Sequence, residues 1–240
     1  MLEMYRSAHV LDRHQHRGLR IAPPAGFAHA RACVALPLTL PEYVQAAHEY
    51  PIVFTEAGEG PRSVVLLGIR PAENLFVAAD GRWEGRYVPA IVRRYPFVLA
   101  ERGDGAEPLV CVDAAHAGYG ASDGEALFTD EGEPSRYLGD VMSFLRAFRV
   151  EVARTRSVVE QFTQLGLLQA MKANFEPVGS DPCVLDGFRV IDGERLAGLA
   201  GAELEALARS GALAAAYAHL FSLACFTQLL SRAARPAQAA

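Results

Sequence analysis

The chain has 240 residues, of which 51% are hydrophobic and 21% charged, an ordinary globular composition with room for one large domain or two small ones. Its net charge of −5 excludes general nucleic-acid binding, which needs a basic surface to displace counterions. The four cysteines, Cys33, Cys111, Cys183 and Cys225, stand in no CxxC or CxxxC spacing, which argues against a zinc site or a redox pair and for reduced thiols in a cytoplasmic protein.

In chain order, residues 1–35 read as irregular, with turns at Pro23-Pro24 and Gly26 and a His- and Arg-rich start that lacks the apolar core of a secretory signal. A capping box follows: Thr39 caps, Pro41 sits in the first turn and Glu42 stands three residues on, which predicts a helix to about Glu49, ending before Pro51. Ile52 to Thr55 and Val64 to Ile69 are two β-rich runs joined by a Gly-rich turn, a hairpin signature. Next come Asn74-Leu75-Phe76-Val77, the Asp80-Gly81 turn, Trp83 to Tyr87, and a short helix over 88–94.

This order then returns. Tyr95-Pro96-Phe97-Val98-Leu99 matches Tyr50-Pro51-Ile52-Val53-Phe54, and Leu109 to Val112 matches Val64 to Leu67, both 45 residues on. Leu127-Phe128 matches Leu75-Phe76, Glu131-Gly132 matches Asp80-Gly81, and Tyr137 matches Tyr87. These matches in order predict a duplicated β-rich unit over 36–150, its copies paired about a pseudo-two-fold axis around a shared core. Residues 151–232 read as mostly helical. Leu138, Val141, Met142, Leu145, Phe148 and Val152 share a helical stripe, which Val158, Phe162, Leu165 and Leu168 extend past a break near Thr155. Val178 to Asp186 reads as loop and Phe188 to Ile191 as a strand. Helices near 201–209 and 212–232 flank Gly211 as a C-cap, and 233–240 reads as a disordered tail. Gly211 to Leu230 carries no charge and has the length of a bilayer span, but its alanines, its polar residues and its helical stripe make it a buried core helix. The fold class is α+β, in a single domain.

Four groups carry candidate chemistry. Gly120-Ala121-Ser122-Asp123-Gly124 fits the G-x-S-x-G nucleophile elbow, with Asp186 or Asp192 and then His219 completing the chain order of a hydrolase triad. No helix is predicted after Ser122, and a glycine-rich surface loop explains the motif better. Gly118-Tyr119-Gly120 with Gly124 loosely matches a dinucleotide loop, but its third glycine is one position late. His14 and His16, with His9 and His29 nearby, offer metal donors without acidic or cysteine partners at short spacing. Trp83, Arg86, Tyr87, Arg93, Arg94 and Tyr95 form the densest Arg/aromatic cluster and are the candidate ligand-binding residues, since planar Arg donors suit carboxylates and phosphates. The alternative for that cluster is internal pairing of Arg93 and Arg94 with acidic side chains, and Trp83 filling the core.

One family shows these residues together. Leu36-Pro37-Leu38 with Glu42-Tyr43, Tyr50 to Phe54, Leu67-Gly68, Asn74 to Val77 and Gly81-Arg82-Trp83 occur in order. Tyr87-Val88-Pro89-Ala90, Arg93 to Phe97, Gly124 with Leu127-Phe128, and Tyr217 to Leu220 follow. This string, from about His16 to Leu230, resembles the bacterial SapC family, named for a link to surface layers and loosely labelled with peptide transport. The resemblance implies no catalytic residue. The expected function is a soluble, non-catalytic binding or accessory protein for a peptide or protein partner in bacterial surface or envelope biology. The expectation includes no cofactor, no nucleic acid, no membrane span and a possible homo-oligomer. The alternatives are a serine hydrolase using Ser122 and His219, and a metal-dependent enzyme using the N-terminal histidines.

Overall fold

The computed structural model describes residues 3–56, 60–103, 105–175 and 183–234, and contains both sheet and helix, the expected α+β class. A five-stranded antiparallel sheet has the order β3 (Ala35–Pro37), β5 (Pro61–Leu66), β4 (Ile52–Glu56), β10 (Cys183–Ile191), β9 (Leu168–Phe175). A three-stranded sheet has the order β1 (Ala8–Val10), β7 (Leu109–Asp113), β6 (Phe97–Ala100). A small ladder joins β2 (Arg20–Ile21) to β8 (Glu125–Ala126). The N-terminal segment expected to be irregular therefore supplies two strands, and a 3-10 turn at Ala28–Ala30. Their partners are about a hundred residues away, so no local pattern marks them.

Thr39 begins its helix as expected. A 3-10 turn, Leu40–Glu42, carries the capping box and leads into α1 (Tyr43–Ala46), shorter than the sequence pattern suggested. The hairpin β4–β5 pairs Ile52 with Val65, and β6–β7 pairs Phe97 with Val112. After each hairpin comes the same tight turn. Ala78 N–H donates to Arg82 O and Glu84 N–H to Phe76 O, around Gly81 at φ 87°. Thr129 N–H donates to Glu133 O and Ser135 N–H to Leu127 O, around Gly132 at φ 83°. These bonds align Leu127 with Phe76, one residue from the match read in the sequence. The two hairpins lie in separate sheets and in two hydrophobic clusters rather than one: Ile52, Phe54 and Val65 in the larger, Phe97 and Val112 in the smaller.

Between the two stretches, α2 (Ala90–Arg93) supplies the short helix. The strut that joins the clusters is α3 (Arg136–Gln164), 29 residues or about 44 Å long. Ser135 caps it by accepting the Leu138 N–H at 3.1 Å. Leu138 and Leu145 enter the smaller cluster; Phe148, Val158, Val159 and Phe162 enter the larger. Complete burial of a side chain such as Phe162 contributes about 1.5–3 kcal/mol. The expected break near Thr155 is absent, because the Thr155 hydroxyl donates to Glu151 O at 2.6 Å within the helix and accepts the Leu40 N–H at 2.9 Å. The helix ends instead at Gly166 (φ 61°), whose N–H donates to Thr163 O while Leu167 N–H donates to Phe162 O, a Schellman stop. Leu168, read as the end of the helical stripe, starts β9.

The part expected to be mostly helical thus opens with a hairpin, β9–β10. Val184 to Asp186, read as loop, lie in β10; residues 178–182 of that expectation lie outside the described chain. Then come α4 (Gly193–Ala197), α5 (Gly201–Ser210), α6 (Ala212–Ser222) and α7 (Cys225–Ala233). Gly211 at φ 79° separates α5 from α6 as expected. The uncharged run is two helices bent by 41°, and no single helix among the described residues is long and apolar enough to cross a membrane. Ala212, Ala215, Ala216, His219 and Ser222 form the buried face of α6. Residues 235–240 of the expected disordered tail lie outside the described chain.

Candidate functional site

The Arg/aromatic cluster divides by where its polar atoms go. Trp83 lies flat beside Phe76 (6.3 Å, 22°), and its Nε1–H donates to Tyr50 Oη at 2.9 Å and to Tyr87 O at 3.0 Å. Tyr87 Oη donates to Glu42 Oε1 at 2.9 Å, and burial, with the Glu42 charge beside it, pushes the phenol up to about 12. Arg86 is held by its backbone N–H, which donates to Glu49 at 2.7 Å, and its side chain is exposed. Tyr95 stacks on His29 at 4.0 Å and donates to Asp113 Oδ2 at 3.3 Å. Burial and the Asp113 charge push Tyr95 up to about 12 as well.

Arg93 and Arg94 anchor α2 to α3. The Arg93 guanidinium lies 5.6 Å from the Phe144 ring, and that of Arg94 lies 5.4 Å from the Phe148 ring, one turn further along. Cation–π contacts therefore replace the acidic partners that the sequence allowed for these arginines. Arg94 Nε also donates to Tyr5 Oη at 3.2 Å.

Two buried carboxylates organise the surroundings. Glu42, 4% exposed, accepts from Thr39 N–H and Oγ1, Tyr87 Oη and Ala90 N–H. Asp113, 0% exposed, accepts from the N–H groups of Arg6, Ser7 and Ala115 and from Tyr95. Burial acts to raise the Asp113 carboxyl, but these donors outweigh it and hold the group below the usual carboxylate range. Sequence reasoning saw Glu42 only as a capping residue and missed Asp113, two of whose donors, Arg6 and Ser7, lie more than 100 residues away.

Of the six cluster residues, Arg94 lines a cavity. This cleft, of about 300 Å³, lies where the β3–β5 end of the large sheet meets α2 and α3. Pro37, Leu38, Pro61, Ile91, Phe148 and Val152 make its walls, and Arg62 of β5, Arg94, the C-cap of α2, and Arg156 of α3 also line it. Thr39, Ser63 and Thr155 also line it, and each hydroxyl is engaged within the protein: with Glu42, Tyr43 and Glu151 respectively. Arg156 also pairs with Glu160 at 3.2 Å, one turn along the helix. Among the described residues no carboxylate lines the cleft. Sequence reasoning named Arg94 but missed Arg62 and Arg156, which lie far from it in sequence. A larger cavity of about 420 Å³, beside β7 and the start of α3, is lined by charges of both signs, Asp12 and Glu107 with Arg13, Arg146 and Arg149, and Arg146 pairs with Glu107 at 3.8 Å.

The hydrolase arrangement does not form. Ser122 is exposed, and no hydrogen bond joins it to His219. His219 is 0% exposed; its Nε2 accepts the Ile191 N–H at 2.9 Å, and burial pushes it down to about 4. Asp192 is used as the cap of α4, accepting from Glu194 and Arg195 N–H. The motif's glycines have structural causes: Gly120 adopts φ 78°, and a Cβ on Gly124 would collide with the Ile21–Ala22 backbone. The N-terminal histidines are dispersed. His9 contacts Ser7, His16 accepts from Asp12 N–H, and His29 lies against Tyr95. Among the described residues, no three His, Cys, Asp or Glu side chains form a group suited to a metal ion.

Comparison with protein families matches residues 11–229 to the model described as SapC. No curated protein matches the chain, and no solved structure does.

Proposed function

The chain belongs to the SapC family, and on that premise we propose that it is a binding or accessory protein for a peptide or protein partner in bacterial surface or envelope biology, with no chemical step of its own. The cleft between β5, α2 and α3 is its binding site. The observation that carries this reading is the cleft's composition: apolar walls with Arg62, Arg94 and Arg156 among the residues that line it. An interior of that kind suits a ligand with an apolar body and an anionic group, because planar Arg donors pair with carboxylates while the walls exclude water. Cys33, Cys111 and Cys225 are buried free thiols, which supports action in the cytoplasm. An internally repeated scaffold, suggested by the matching hairpins and turns, supports the placement of α2 between two similar units.

The test uses Val152, which lines the cleft and is 42% exposed, so that Val152→Glu leaves the core intact. A peptide display library selected on the immobilised wild-type chain is expected to enrich sequences whose binding Val152→Glu removes. No enrichment, or enrichment indifferent to that change, refutes the assignment of the site.

A further inference from the structure

Beyond the cleft, we propose that residues 4–10 act as an internal ligand. They fill a groove along β7 and Tyr95 that also takes an extended peptide from a partner protein, one in which an apolar residue precedes a tyrosine.

The segment is held as a peptide ligand is held. The two oxygens of Asp113 accept the Arg6 N–H at 3.1 Å and the Ser7 N–H at 2.8 Å. Ala114 N–H donates to Ser7 O at 2.8 Å, Ala8 to Val10 pair with Cys111 to Asp113, and Leu11 N–H donates to Val110 O at 2.8 Å. All of these contacts use the main chain of the segment. They ask for an extended backbone and for no particular side chain, the mode by which a peptide adds a strand to a sheet edge.

Specificity in that mode comes from pockets for individual side chains. Met4 and Tyr5 are 2% and 7% exposed, whereas Arg6, His9 and Val10 are exposed. Tyr5 Oη donates to Phe97 O at 2.9 Å and accepts from Arg94 Nε at 3.2 Å. The Tyr5 ring lies 5.6 Å from the Tyr95 ring and 5.7 Å from the Arg94 guanidinium carbon. A phenylalanine would fill the same space without either hydrogen bond, so the pocket selects tyrosine.

The segment is also separable from the rest of the fold. It supplies an edge strand, β1, with β7 on one side only, and the β6–β7 pairing does not involve it. Arg13, His14, Gln15, Arg17 and Gly18 of the turn that follows are exposed, which leaves the segment room to swing away. The family match, over residues 11–229, contains Arg94, Tyr95, Phe97 and Asp113 and leaves residues 4–10 outside. The groove thus belongs to the shared fold and its present occupant does not. Because the occupant is tethered, it competes at high effective concentration, and a partner binds only the fraction of chains whose groove is open.

The test measures fluorescence polarisation of a labelled peptide of residues 4–10 against three full chains: wild type, Tyr5→Ala and Ser7→Pro. Tyr5→Ala removes the anchor, and Ser7→Pro removes an N–H that Asp113 accepts. Each variant is expected to bind the peptide about ten-fold or more tightly than the wild type does, as the open fraction rises. The same peptide with alanine in place of its tyrosine is expected to bind none of the three. No binding by either variant, or affinities equal to that of the wild type, overturns the proposal, as does equal binding of the two peptides. Loss of the folded state in both variants, read by circular dichroism, also overturns it, because a segment that the fold requires cannot be exchanged. A wild-type dimer that grows with concentration in light scattering and that Ser7→Pro removes would give the groove to a second copy of this chain, and so overturn its assignment to a separate partner.

Discussion

His219 should make the protein acid-sensitive in a defined window. Its ring is fully buried on α6 beside Phe54, at 4.8 Å between centroids, and its Nε2 accepts a backbone N–H from Ile191 in β10. A proton on Nε2 would face that N–H, so protonation must break the bond and place a charge in the core. Burial holds the group down at about 4, outweighing a backbone contact with Ile52 that acts the other way. In the unfolded chain an imidazole titrates at about 6.5. Between these values the unfolded state binds more protons, so this contribution is complete above about 6.5 and is lost as pH falls toward 4. Integrated from pH 7.5 to 4.5, the loss is about 2.5 kcal/mol from this one residue. His29, also held at about 4 by burial, acts in the same direction, with its effect reduced by partial exposure. The assay is denaturant unfolding at pH 7.5, 5.5 and 4.5 for the wild type and for His219→Leu, which keeps the bulk. The variant loses the Ile191 bond at every pH, about 1–3 kcal/mol. Its fall in stability from pH 7.5 to 4.5 should be about 2.5 kcal/mol shallower than that of the wild type. Equal falls in the two proteins would refute the reasoning.

Glu42→Gln should cost about 2–4 kcal/mol. Each Glu42 oxygen meets two donors, and an amide must turn its NH₂ toward one of those pairs. A loss below about 0.5 kcal/mol in denaturant unfolding contradicts this account. Gly124→Ala should destabilise by about 1–3 kcal/mol through its collision with the Ile21–Ala22 backbone. Ser122→Ala, at an exposed position, should change stability by less than about 0.5 kcal/mol, so a reversed order in thermal melts would restore Ser122 as the important member of that loop. A fluorophosphonate probe should give no labelling that depends on Ser122, because His219 is taken by Ile191.

What the sequence made legible was local. The hairpin β4–β5, the capping box at Thr39, the tight turns at Gly81 and Gly132 and the Gly211 break all follow from residues within a few positions of each other. The misses have one physical cause, which is long-range pairing. Ala8 to Val10 is a strand because it pairs with β7, about a hundred residues on, and three residues are too few to show a strand pattern of their own. Leu168 looked helical because it continues a stripe that Gly166 in fact ends. Thr155 looked like a helix breaker, yet its hydroxyl meets both its own helix and Leu40.

The candidate site repeats that lesson in its chemistry. A dense cluster in sequence suggested a binding surface, but nearness in sequence gathered side chains that the fold then sends in different directions. Trp83 and Tyr87 turn toward Tyr50 and Glu42, Tyr95 toward Asp113, and Arg93 onto Phe144. Tight internal satisfaction of this kind is what a short helix needs. With four residues, α2 cannot persist by its own hydrogen bonds. It is held at its start by Glu42, which accepts the Ala90 N–H, and along its flank by the two phenylalanines of α3. The anchoring of Arg94 also carries it to the edge of a cavity that Arg62 and Arg156 line as well, residues which nothing in their own neighbourhoods marks as partners. A ligand held in the cleft is bound by the folded chain and not by the unfolded one. It should therefore stabilise the folded chain in proportion to its affinity. The melting temperature should rise with the concentration of a display-selected peptide in the wild type and stay level in Val152→Glu.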